Sequence, residues 1–150
     1  MVEFYHSWSG DAAGSSIGTT QNFSIKQSVT LSSGTYRLSA YGFYREGEGN
    51  GTNTKASLKA GDNTTNLIGL ESGALASYDG NDAQKAANAF NSGAFLNTLE
   101  FTLASKQTID LGVTGYIDTY CSWCVVGPMT LVKVLEDGTE ITEVIVNPSF

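Results

Sequence analysis

The sequence is short of charge, and of positive charge above all. Its 150 residues include 8 Lys and Arg against 15 Asp and Glu, a net charge of −7. Nucleic-acid binding needs clustered cations that displace the counterions of phosphates, and eight scattered basic residues build no such patch. An anionic membrane surface would repel the chain for the same reason. No apolar run approaches the ~20 residues of a spanning helix. Neither a nucleic-acid partner nor membrane insertion is expected. One histidine, His6, and two cysteines, Cys121 and Cys124, exclude most His-rich metal sites and any disulfide-dense scaffold. No signal-peptide pattern precedes the first strand-like segment, so Met1 reads as an added start on a fragment of a longer protein.

Small polar and aromatic residues fill the space that charge leaves. There are 17 Gly, 7 Tyr, 7 Phe and 2 Trp, with 41% hydrophobic residues overall, enough for one core and too much for a disordered chain. This composition suits short strands joined by loops. Residues 2–7 are aromatic and strand-like, and residues 9–20 read as a loop. Along residues 22–31, Phe23, Ile25, Val29 and Leu31 share one parity, the period of a half-buried strand. Along residues 35–45, Tyr36, Leu38, Ala40 and Tyr44 point one way and Arg37, Ser39, Tyr41, Phe43 and Arg45 the other, so both faces of this strand meet something. Residues 54–60 and 66–70 read as two short strands around a turn at Gly61-Asp62-Asn63. Residues 79–90 form the one helix candidate, capped by Asp79 or Asn81, with Ala83, Ala86, Ala87 and Phe90 at helical spacing and Gly93 beyond its end. Three more strands cover residues 96–104, 107–116 and 123–135. Val125, Met129 and Leu131 share one parity in the last of them, and Val126, Thr130, Val132 and Val134 the other. The expected fold is all-β, an antiparallel β-sandwich with one short helix in a loop.

Catalytic patterns are scarce. His6 sits in a strand-like segment and no G-x-S-x-G elbow is present. Two carboxylates alone would serve a glycosidase, but Glu3, Glu46, Glu48, Glu71, Asp110 and Asp118 read as solvated loop or strand-face residues. Tyr-Cys-Ser-Trp-Cys holds a C-x-x-C without a second ligand pair for zinc and without a βαβ setting, which leaves two thiols or one local disulfide. Asp79-Gly80-Asn81-Asp82 clusters oxygen atoms but lacks the spacing of an EF-hand and reads as a helix cap. The aromatics are the best functional clue. Sugar rings present apolar C–H faces that stack on aromatic rings, and hydroxyls that need polar partners. Trp8, Tyr44, Tyr78, Tyr120 and Trp123 lie in or beside loops, where binding residues concentrate, and Arg45 lies next to Tyr44. These six are the candidate ligand-binding residues; no catalytic residue is expected.

The order of motifs resembles a known family. Glu3-Phe4-Tyr5, Phe23 and Gln27, Gly34-Thr35-Tyr36-Arg37-Leu38, and Gly42-Phe43-Tyr44-Arg45 lead the resemblance. Ala56-Ser57-Leu58-Lys59-Ala60-Gly61-Asp62-Asn63, Ala86-Ala87-Asn88-Ala89-Phe90, Gly93-Ala94-Phe95-Leu96-Asn97-Thr98 and Ser122-Trp123-Cys124-Val125-Val126 continue it. The succession, over about residues 2 to 135, is similar to the galactose-binding-like β-sandwich (jelly-roll) domains of secreted Bacteroidetes proteins. The resemblance implies a non-catalytic carbohydrate-binding accessory module, secreted or at the cell surface. Its expected partners are a polysaccharide or glycan and the catalytic or adhesive domains of its parent chain. A structural or protein-interaction spacer without a glycan ligand is the alternative, and a fragment of a glycosidase or lyase a third reading. The family's closing strand carries an Asp-Asn pair where this chain has Gly127-Pro128. The missing Asp counts against the structural calcium that many such sandwiches hold, and no cofactor is otherwise expected. The family's first strand, roughly Asn-Pro-Ser-Phe-Glu, is missing before Glu3, whereas the chain ends in Val146-Asn147-Pro148-Ser149-Phe150. The division expected is a sandwich over residues 1–136, followed by residues 137–150 as a linker and the start of a following copy. Residues 141–150 are expected to dock as the missing strand, with a hairpin past Asp137-Gly138 as the alternative.

Overall fold

The computed structural model describes residues 1–5, 21–46, 54–71, 83–117 and 122–143. These form ten strands and one helix: β1 (Val2–Tyr5), β2 (Gln21–Leu31), β3 (Gly34–Arg45), β4 (Ala56–Ala60), β5 (Asn63–Asn66), β6 (Ile68–Gly69), α1 (Ala83–Asn91), β7 (Leu96–Leu103), β8 (Gln107–Ile117), β9 (Trp123–Val134) and β10 (Glu140–Glu143). They make two sheets, antiparallel except where β6 lies parallel to β3. In the first, β3 and β9 pair along most of their length; β1 and β10 share the far edge of β9, and β7 and β6 the far edge of β3. The second runs β2-β8-β4-β5. The protein is an all-β sandwich with one short helix.

Period-two alternation builds the core. Tyr36, Leu38, Ala40 and Tyr44 of β3 pack between the sheets against Leu58 of β4, Leu111 and Val113 of β8, and Met129 and Leu131 of β9. Each such apolar side chain, taken wholly from water, contributes roughly 1.5–3 kcal/mol. The expected second role for β3's other face is met: Phe43 and Val125 point outward and are covered by Ala86 and Ala89 of α1 and by Phe95 and Leu70. Helix α1 ends where Gly93 and Ala94 donate back to the carbonyls of Phe90 and Ala89. It presents Ala86, Ala89 and Phe90 to the sheet, while Ala87, expected on that face, is exposed. The expected caps, Asp79 and Asn81, lie outside the described residues.

Three expectations change. In β9, Val125 does not share a face with Met129 and Leu131. The β3–β9 register passes from Ala40↔Met129 to Gly42↔Val126, so Tyr41 faces both Gly127 and Pro128. This bulge turns Cys124 and Val126 inward together with Met129 and Leu131, and it suits a proline, which has no N–H for the ladder. Gly127 also makes room for the helix, since a Cβ there would lie 2.6 Å from the Phe90 ring. Next, a strand covers residues 63–66, where a turn through Asn63 and a strand starting only at Asn66 are expected, and the expected strand over 66–70 is reduced to the two residues of β6. Gly61, with φ of 60°, and Asp62 close a two-residue hairpin that pairs Ala60 with Asn63. All four β5 residues are polar because this is an edge strand with little to bury. Finally, residues 141–143 do not dock as a missing first strand. They turn back past Gly138 and pair with β9 as the second arm of a hairpin, Glu143 facing Leu131. Arg37 ties that arm down: it donates to Glu100 of β7 at 2.6 and 2.9 Å and to Glu140 of β10, and the two carboxylates raise its pKa further. Residues 144–150 lie outside the described residues.

Candidate functional site

The outer face of the β3–β9 sheet carries a groove at the end where β1 joins it. Alternation sets its lining. Glu3 and Tyr5 of β1 point outward while Phe4 turns inward to stack on Phe23, with ring centroids 4.2 Å apart. The β1–β9 register places Glu3 beside Val125 and Tyr5 beside Trp123, and the β3–β9 register places Phe43 beside Val125 and Arg45 beside Trp123. Helix α1 forms the opposite wall with Phe90 and Asn91. The cavity between them is about 300 Å³, in the range of small-ligand sites. Phe43 forms its floor, edge-on to Trp123 at 4.8 Å and to Phe90 at 6.4 Å.

The groove is mostly apolar with a few polar groups. Trp123 is half-buried and its indole N–H donates to Glu3 Oε1 at 2.5 Å, which holds the carboxylate at the rim. Tyr5, its cross-strand neighbour, is 68% exposed. Facing residues on paired strands bring their Cβ atoms within about 5.5 Å, so Tyr5 and Trp123 stand side by side on the outer face of the sheet. Glu3 is the one carboxylate among the described residues lining the cavity. Such a surface can hold a ring with an apolar face and hydroxyl-bearing edges.

The six candidate residues fare differently. Trp123 lines the groove. Arg45, its neighbour on β3, is 8% exposed and lies 4.0 Å from the half-buried Glu71, so it is shielded rather than open to a ligand. Tyr44 corrects the expectation outright: it is wholly buried in the core and its hydroxyl donates to the carbonyl of Tyr116, so neither ring face can stack on a ligand. Its parity with Tyr36 and Leu38 outweighs its closeness to a loop. Trp8, Tyr78 and Tyr120 lie outside the described residues. The groove adds Phe90, with Tyr5 standing beside it as the cross-strand neighbour of Trp123, and a search for aromatics beside loops passes over both. The signal for Tyr5 is its alternation with Phe4; for Phe90, it is the helix face shared with Ala86.

Cys124 of the C-x-x-C is a buried free thiol; Cys121 lies outside the described residues. Burial pushes the Cys124 thiol up to about 12 from 9.0. It therefore stays protonated at pH 8. In a Cys121→Ser background the native protein is expected to react with a disulfide reagent only after denaturation, and rapid labelling without denaturant would contradict this. Stability linked to this group is full below about pH 9 and is lost as pH rises toward 12, because the unfolded chain gives up a proton that the folded one retains. Among the described residues no group of three or more His, Cys, Asp or Glu is placed to hold a metal. Gly127-Pro128 is the bulge, and Asp79-Gly80-Asn81-Asp82 lies outside the described residues.

No family model, no curated protein and no solved structure matches this chain.

Proposed function

We propose that the chain is a non-catalytic carbohydrate-binding module that holds a glycan against Tyr5 and Trp123. The observation that carries this reading is the pairing of an exposed tyrosine with a half-buried tryptophan beside a 300 Å³ apolar cavity that has a carboxylate at its rim. Tyr5 and Trp123 supply the platform for the apolar face of a sugar, and Glu3 and Asn91 accept and donate hydrogen bonds to its hydroxyls. A glycosidase would need two facing carboxylates. The resemblance to galactose-binding-like sandwiches of secreted Bacteroidetes proteins supports the same reading. In a secreted or cell-surface parent, such a module would keep neighbouring domains close to a polysaccharide by raising their effective concentration.

Isothermal titration against neutral oligosaccharides tests it. Tyr5→Ala, at an exposed position, is expected to weaken binding by roughly 1–3 kcal/mol, the cost of losing a true anchor, and to leave the circular dichroism unchanged. Trp123→Ala should weaken it at least as much. If neither variant changed the affinity of a glycan that the parent protein binds, the groove would not be its site. If the parent bound no glycan of a broad panel, the spacer reading would take its place.

A further inference from the structure

The opposite face of the molecule, the outer side of the β2-β8-β4-β5 sheet, carries a second feature that the groove does not use. Strand register sets Lys26, Gly112 and Lys59 in a single cross-strand row. With neighbouring strands ~4.8 Å apart, the two lysines stand roughly 10 Å apart at their Cα atoms, and the residue between them has no side chain. A depression of about 80 Å³ lies there, lined by both lysines, Ser24, Asp110 and Thr114 over Gly112. That is room for two or three water molecules or for one carboxylate.

This face is less acidic than the chain as a whole: Lys26, Lys55, Lys59 and Lys106 belong to this sheet or its margin, against Glu46, Asp62 and Asp110, in a protein of net charge −7. Lys55 pairs with Glu46 at 3.0 Å. Asp110 is committed on both oxygens, to Lys26 Nζ at 2.8 Å and Ser28 Oγ at 2.5 Å, and these partners hold its carboxyl below the usual carboxylate range. Lys59 forms no contact ion pair with a described residue, though its charge also helps to hold the Asp110 carboxyl down. Among the described residues the depression thus sets two lysines against one carboxylate. The next row, Ser24, Thr114, Ser57 and Asn66, is hydroxyls and an amide, the partners that a polyol needs.

We infer that this row is a second ligand site, which seats a uronate carboxylate of an acidic polysaccharide between Lys59 and Lys26 while the neighbouring hydroxyl row takes the adjoining sugar hydroxyls. It stands independently of the Trp123 groove, on the other sheet.

The test is affinity electrophoresis of the intact chain through gels containing polygalacturonate, heparin or neutral dextran, with single-stranded DNA as a matched polyanion. Polygalacturonate is expected to retard the protein, less so as NaCl rises because salt screens exposed charges. Lys59→Glu should weaken that retardation about tenfold, since it places a like charge against the ligand, and Lys59→Gln by a smaller factor. Circular dichroism checks that each variant is folded. Lys106→Glu, the same charge change at an exposed position in the turn before β8, should leave polygalacturonate retardation nearly unchanged, which separates this site from net charge. No retardation by polygalacturonate, retardation that survives Lys59→Glu, or equal retardation by single-stranded DNA would overturn the inference. Binding to heparin alone would overturn the assignment to a carboxylate.

Discussion

Replacing Gly112 by Ala is expected to be among the most damaging single changes in the protein. A Cβ at this position would stand 1.9 Å from the Ile25 carbonyl oxygen and 2.8 Å from the Lys26 Cα. Both obstacles are backbone of the paired strand β2, so no side-chain rotation relieves the contact. The ladder between β2 and β8, which runs from Gln21↔Ile117 to Leu31↔Gln107, would have to open at its centre. Overpacking commonly costs about 1–3 kcal/mol and more where the backbone cannot yield, and the upper end is expected here. For a domain of this length ~3 kcal/mol lowers Tm by roughly 6–12 °C. Thr114→Ala, two residues along the same strand and on its outer face, is the matched control, with a change within about 0.5 kcal/mol. Thermal melts of the two variants decide it, and a Gly112→Ala Tm within about 2 °C of the parent would sink the close-approach explanation.

Asn97→Ala should be nearly as costly, for a different reason. Asn97 is 4% exposed, on β7, beside the β3–β9 bulge. Its amide nitrogen donates to the carbonyls of Gly42 at 2.8 Å and Phe95 at 2.9 Å, with a longer contact to Ala40 at 3.2 Å; its Oδ1 accepts from the N–H of Ile68 at 2.7 Å. One side chain therefore bonds backbone groups at the end of the β3–β7 ladder and at the crossover into β6, of which the Phe95 carbonyl also accepts from the Gly42 N–H at 2.9 Å. Alanine strands the Ile68 N–H and at least one carbonyl in the interior. Each buried orphan costs about 1–3 kcal/mol, so a loss of roughly 2–4 kcal/mol is expected. Asn97→Asp should do no better, because it keeps the acceptor but loses the donor and buries a charge. Urea unfolding reads the loss as a lower midpoint at unchanged slope; a midpoint equal to the parent's would contradict the role given to Asn97.

Alternation that residues carry locally is legible in the sequence. Strands β2, β3, β7, β8 and β9 stand within about one residue of their expected limits, because each carries a period-two pattern long enough to see, even where β9 shifts parity and β3 is covered on both faces. Features that depend on partners far away in the chain are not legible in this way. The parity change at Gly127-Pro128 exists only because Tyr41 lies opposite both residues. Strand β5 has no apolar pattern and exists because the Gly61-Asp62 turn sets it beside β4. The same division holds at the groove. Trp123 stands out as an aromatic beside a loop, but its neighbours Tyr5 and Arg45 are 118 and 78 positions away in the chain, and only register joins them. Tyr44 shows two local signals in conflict: closeness to a loop points to a ligand, and parity with Tyr36 and Leu38 points to the core, where it lies.

The glycan-binding reading rests on the Trp123 groove, and the indole N–H of Trp123 offers a direct reporter. It donates to Glu3 at the rim and gives its own proton–nitrogen resonance, distinguished from that of Trp8 by a Trp8→Phe variant. Titrating the labelled protein with neutral oligosaccharides should shift this resonance saturably, together with the amides of Glu3, Tyr5, Phe90 and Asn91. A panel of glycans that moves none of these signals, or saturable shifts elsewhere that leave the Trp123 indole unmoved, would contradict it.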